Sequence, residues 1–143
     1  MDEFRSVEDY ELFVYSVRER YSAVTGSTLR LERRGSTYAR VSGDIEFRNG
    51  YRITVRELVS FDTLPLRIED YGYEIWCHDT KRGWYDSQPH PNSPKLQATH
   101  PHHKHVPPDL KRNRVPAPGF TFMAPNIPIL IAEVAAMAHA DDA

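Results

Sequence analysis

The chain is poor in cysteine: Cys77 is alone among 143 residues, which excludes an intramolecular disulfide and suits a reducing compartment. Long apolar runs are missing as well. The strongest, residues 127–138, is shorter than the roughly 20 residues that cross a bilayer, so no membrane association is expected. The first residues are acidic and carry no apolar stretch, so no signal peptide is expected and the chain reads as cytoplasmic. Excess positive charge is also absent. A formal net charge of -2 argues against wholesale nucleic-acid binding through bulk charge. The carboxylates show no pairing of the kind glycosidases use. Proline is missing from the first 64 residues, yet ten of the eleven prolines lie between Pro89 and Pro128, which forbids a long helix or central strand through most of that span.

What is present is enough for one domain with a real core. Val7, Tyr10, Val14, Val17, Tyr21 and Val24 recur in steps of three and four, which predicts an amphipathic helix over residues 6–24, capped by Ser6 and ended by Gly26. Strands follow. Leu29 and Leu31 alternate with Arg30 and Glu32, Gly35 turns the chain, and residues 38–47 keep period two. At Arg48-Asn49-Gly50 a three-residue loop with Gly50 left-handed pairs Ile45 with Ile53 and Glu46 with Arg52, whereas a two-residue loop splits the apolar set across both faces. The parity of the apolar residues shifts between Val55 and Leu58, which predicts a bulge near Arg56-Glu57. Tyr71, Tyr73, Ile75 and Cys77 form another strand, with a short one at Trp84 to Asp86 pairing back; Cys77 is expected to be an inert half-buried thiol. Asn126 is expected to cap a C-terminal helix with Pro128 in its first turn. The expected class is α+β: an N-terminal amphipathic helix and an antiparallel sheet of about five strands (residues 1–87), a proline-rich strap (88–125) and a C-terminal helix (126–140). That last helix is apolar nearly all round, which suits deep burial or a partner surface and leaves a homo-oligomer open.

Chemistry concentrates in the strap. Residues 99–109 read THPHHKHVPPD, with His100, His102, His103 and His105 around Lys104, followed by Lys111, Arg112 and Arg114. Imidazole exchanges a proton near neutral pH. Two imidazoles flanking a phosphodiester suit acid-base cleavage through a ribose 2'-hydroxyl, and the nearby cations suit the charge that builds on the phosphoryl oxygens. The candidate catalytic residues are His102, His103, His105 and Lys104. Candidate substrate contacts are His90, His100, Lys111, Arg112, Arg114, Trp84 and Tyr85, the last two either stacking on an unpaired base or belonging to the core. Arg40, Arg52 and Arg56 share a polar strand face, as a phosphate-tracking groove or as a salt-bridged surface. This chemistry needs no cofactor. The spacing also permits the histidines to ligate a zinc-like ion, with His90, Asp86 or Asp109 completing the set, although no three- or four-ligand motif stands out. A surface loop whose histidines only cap backbone groups is the third reading.

The run from Tyr71-Gly72-Tyr73-Glu74 through Trp84-Tyr85-Asp86, Gln88-Pro89-His90-Pro91 and THPHHKHVPPD to Arg114-Val115-Pro116-Ala117-Pro118 resembles the TumE-type toxins of bacterial and archaeal type II toxin-antitoxin pairs. The hairpin ARVSGDIEFRNG and the N-terminal ELFVYS fit too. The resemblance implies a small growth inhibitor neutralised by a cognate antitoxin protein. Toxins of this size are often ribonucleases, which makes RNA the expected substrate by analogy. Metal-binding enzyme and non-enzymatic growth inhibitor are the alternatives.

Overall fold

The computed structural model describes residues 3–87, 103–105, 114–116 and 119–142. Its architecture is α+β: helices cover one face of an antiparallel sheet, and the other, the open face, carries no helix among the described residues. Helices α1 (Val7–Tyr15) and α2 (Val17–Arg20) precede β1 (Val24–Ser27), β2 (Arg30–Arg34), β3 (Tyr38–Phe47), β4 (Tyr51–Ser60), β5 (Arg67–Cys77) and β6 (Thr80–Asp86). Two short strands follow, β7 (His103–His105) and β8 (Arg114–Pro116), then α3 (Ile127–Ala140). The described strands run β1-β3-β4-β5-β6-β7-β8, with β2 also on β3. Of the expected strap, residues 88–102, 106–113 and 117–118 lie outside the described residues.

The N-terminal helix starts as its sequence dictates, with the Asp9 amide donating to the Ser6 hydroxyl at 3.1 Å. It does not run to Val24. The Ser16 hydroxyl donates to the Leu12 carbonyl at 2.6 Å, the α-turn closes there, and a single further turn ends at Arg20. Val24 and Gly26 belong to β1, opposite Phe47 and Glu46, because the backbone of β3 offers a ladder that the helical periodicity of the sequence does not reveal. Val7, Tyr10, Phe13, Val14 and Val17 still share the buried face across the break. Tyr15, largely exposed, donates its hydroxyl to the Leu31 carbonyl at 3.3 Å and accepts from the Leu31 amide at 3.1 Å, tying α1 to β2.

The β3-β4 hairpin has the three-residue register. Glu46 faces Arg52, Ile45 faces Ile53 and Gly43 faces Val55; Gly50 has φ 81, and Asn49 is left-handed too, with φ 63. The bulge expected near Arg56-Glu57 is not there: pairing with β3 is regular through to Ser60. The shift lies instead in the β4-β5 pair, between Leu58 and Val59. Tyr51, Ile53, Val55, Glu57 and Val59 all point to the core, so the apparent change of parity is a buried glutamate in an unbroken alternation.

Helix α3 buries Ile127, Leu130, Ile131, Val134 and Ala138 on the sheet, each large side chain contributing roughly 1.5–3 kcal/mol by removal from water. Asn126 does not cap it with its side chain. That amide turns inward: Oδ1 accepts from the Thr121 amide at 3.0 Å, and Nδ2 donates to the Thr121 carbonyl at 2.9 Å and to the Tyr73 hydroxyl at 3.4 Å. Cys77 is buried, its thiol 3.6 Å from the Asn49 carbonyl. No helix among the described residues is long and apolar enough to cross a membrane.

Candidate functional site

Alternation along β4, β5 and β6 puts a second set of residues on the open face. Arg52, Thr54 and Arg56 stand opposite Trp76, Glu74 and Gly72, and across β6 the last two meet Trp84 and Asp86. A cleft of about 380 Å³ opens here, lined by Thr54, Arg56, Gly72, Glu74, Lys81, Trp84 and Asp86, with Tyr73 and Tyr85 beneath. One of its two cations, Lys81, rests on aromatics. The Lys81 ammonium lies 4.3 Å from the Trp84 ring centre and 5.6 Å from that of Trp76, and the Arg52 guanidinium lies 4.9 Å from Trp76 on its other strand neighbour. Lys81 also pairs with Glu74, Arg52 donates to the His78 carbonyl at 2.9 Å, and the Trp84 indole donates to Asp86 at 3.2 Å. Arg56 has no ion pair or hydrogen bond from its side chain among the described residues.

Strand β7 continues this face. His103 pairs with Asp86, Lys104 with Tyr85 and His105 with Trp84; Arg114 in β8 pairs with His105. His90, His100, His102, Lys111 and Arg112 lie outside the described residues. Trp84 and Tyr85 part company, as neighbours on a strand must. Trp84 lines the cleft, whereas Tyr85 is buried, stacks on Phe120 at 4.3 Å and donates its hydroxyl to Glu133 at 2.5 Å; burial, with that bond second, pushes its phenol pKa up. Among the described residues no three His, Cys, Asp or Glu side chains are grouped to hold a metal ion.

Beneath the cleft, on the core face, sits the residue that the sequence pattern concealed. Glu57 is fully buried and accepts from the Tyr10 hydroxyl at 2.5 Å and from the Tyr73 hydroxyl on its other oxygen. Burial, the dominant cause, raises its pKa against the two hydrogen bonds that lower it. Burial and the adjacent carboxylate hold both phenols well above the ordinary range. Through Tyr73 the network reaches Asn126 and so joins α1, β4, β5 and the start of α3. A charged residue at an apolar parity position was the available signal. The signal for Lys81 and Trp76 was weaker, since each reads alone as an ordinary surface residue.

The family model for toxin TumE matches residues 13–138, most of the chain. This chain belongs to the TumE toxin family. No curated protein and no solved structure matches it. The stretch matched contains the hairpin, the cleft residues, the histidine run and nearly all of α3.

Proposed function

We propose that this toxin acts on RNA as a metal-independent endoribonuclease, neutralised by a cognate antitoxin, and that His103 and His105 are its acid-base pair. The observation that carries the reading is the β6-β7 register, in which residues 103 and 105 face Asp86 and Trp84, two residues of the cleft. Opposed residues of an antiparallel pair belong to the same side of the sheet. Residue 104 has the parity of buried Tyr85, which favours the two histidines over Lys104 as partners of the cleft.

In this reading one imidazole takes the proton of a ribose 2'-hydroxyl as its oxygen attacks the adjacent phosphorus. The bond from phosphorus to the 5'-oxygen breaks, and the second, protonated imidazole gives that oxygen its proton. The products are a 2',3'-cyclic phosphate and a 5'-hydroxyl. Arg56 and Lys81 carry the positive charge that the phosphoryl oxygens need as negative charge builds on them. Asp86, beside the position of His103, is suited to holding an imidazolium.

The test uses untagged protein and a labelled mixed-sequence RNA in excess EDTA. Cleavage is expected to leave cyclic-phosphate ends and to fall by at least about 100-fold in His103→Ala and in His105→Ala, with the circular dichroism unchanged. Cleavage that survives both substitutions rejects this pair. Activity lost in EDTA and restored by zinc assigns the reaction to a metal instead.

A further inference from the structure

We infer that the cleft takes single-stranded rather than duplex RNA, seating a phosphate on Arg56 above Gly72 with an unpaired base against the Trp84 wall. The inference rests on the RNA reading above and deepens it with a substrate class and a seat that the histidines do not supply. Gly72 is the starting point. Its φ is not positive, unlike those of Gly35, Gly43, Gly50 and Gly119, so the backbone of β5 does not require glycine here. What the missing side chain provides is space. A Cβ at residue 72 would stand 2.3 Å from Nη2 of Arg56, which lies down across the strand into the notch. The guanidinium thus lies at the cleft, over β5 between β4 and β6.

Arg56 also differs from Lys81 and Arg52. Lys81 is paired with Glu74, and Arg52 is engaged by a carbonyl and an indole. Arg56 is exposed and has no carboxylate partner among the described residues. Arg40 shares its face one diagonal step away on β3, where Arg40 faces Leu58 and Ser42 faces Arg56. Diagonal neighbours stand roughly 7–8 Å apart on a sheet, within reach of one another for long side chains. A planar guanidinium without a partner is matched by a phosphate, to which it can donate two bonds.

The rest of the cleft selects the strand state. Arg56 and Lys81 are offset by Glu74 and Asp86, so no bulk positive field draws in a duplex, whose recognition rests on phosphates and 2'-hydroxyls along its shallow groove. A volume of about 380 Å³ is at the small end for a ligand pocket and suits one nucleotide. An aromatic wall recognises a base only when the base is unstacked and offers its face. Lys81, already on that wall, can follow an arriving phosphate without leaving the cleft.

The experiment measures fluorescence anisotropy of the full chain with a short labelled 2'-O-methyl strand, which lacks the attacking hydroxyl, and with the same strand in a duplex. The wild type is expected to bind the single strand at least about tenfold more tightly, one unpaired contact set being worth roughly 1.4 kcal/mol. Arg56→Ala should weaken that binding about tenfold and reduce the slope of log affinity against log salt by about 0.7, the contribution of one phosphate on a single strand. Gly72→Val, which keeps the charge and fills the notch, should weaken it comparably. Arg33→Ala, at the far edge and paired with Glu8 and Glu11, should bind like the wild type. Unchanged affinity and salt slope in Arg56→Ala, an exposed position where folding is not at stake, overturn the seat while leaving the RNA reading in place. Equal affinity for duplex and single strand overturns the strand preference. A wild type that binds neither removes the RNA reading, and this inference with it.

Discussion

The two faces of strands β4 and β5 treat charge in opposite ways. On the core face a single carboxylate, Glu57, is enclosed by two phenol donors, with no cation among the groups that shift its pKa. On the open face the next residue, Arg56, has no carboxylate partner among the described residues, and the cations of Arg52 and Lys81 lie on indoles. A buried polar group must have its bonds closed within the protein, because leaving one unmade costs more than making it gains. On the solvent side that constraint is lifted, and groups can be left ready to exchange water for a ligand. The same alternation that builds the core therefore sorts polar residues into those that hold the fold and those open to chemistry.

Removing the enclosed carboxylate sharpens this contrast most. Glu57→Ala leaves the Tyr10 and Tyr73 hydroxyls buried without their acceptor, at about 1–3 kcal/mol each, so a loss of roughly 2–6 kcal/mol is expected in urea denaturation. A loss below about 0.5 kcal/mol would show that the network does not hold the fold. The charge itself can be tested by pH. A carboxyl whose pKa is raised on folding contributes stability that is full below its unfolded value, about 4.3, and is lost as pH rises through the higher folded value. Glu57→Gln does not titrate there. Its unfolding free energy relative to wild type should therefore climb as pH is raised from about 4 through that window, by at most about 1.4 kcal/mol per pH unit. Parallel profiles would contradict the raised pKa.

Tyr73→Phe removes one donor to Glu57 and the acceptor of the Asn126 amide, and is expected to cost about 1 kcal/mol in the same urea titration. The smallest effect on stability belongs to the open face. Lys81→Ala loses a cation stacked on two indoles and one surface ion pair, together about 0.5–1 kcal/mol. Its effect on RNA cleavage should be the larger one. A variant with wild-type cleavage and a large loss of stability would reverse the assignment of the two faces.

Much of the sheet was legible in the sequence because its signals are local. Strict alternation over residues 38–47 and the Arg48-Asn49-Gly50 turn determine the β3-β4 register without knowledge of any distant contact. Other features depend on partners far along the chain. Val24 continues a helical pattern and becomes strand because β3 lies beside it, and the Asn126 side chain turns from capping the helix to Thr121 and Tyr73. Glu57 was misread for a related reason. Charge at a core position looks like a change of face until Tyr10, 47 residues away, is seen to close the bond. At the site, residue types pointed to the histidines and arginines, but the cleft depends on Gly72 and Lys81, which acquire meaning only from what lies across the strand.

The phenol of Tyr15 has a consequence for association. Leu31 belongs to β2, paired with β3 along one side, and its amide and carbonyl are both engaged by this one hydroxyl. Those are the groups that an incoming strand from another molecule would use to extend the sheet. A side chain from the first helix thus serves as a plug on the sheet's margin, so that strand addition at Leu31 requires the helix to give up its hold first.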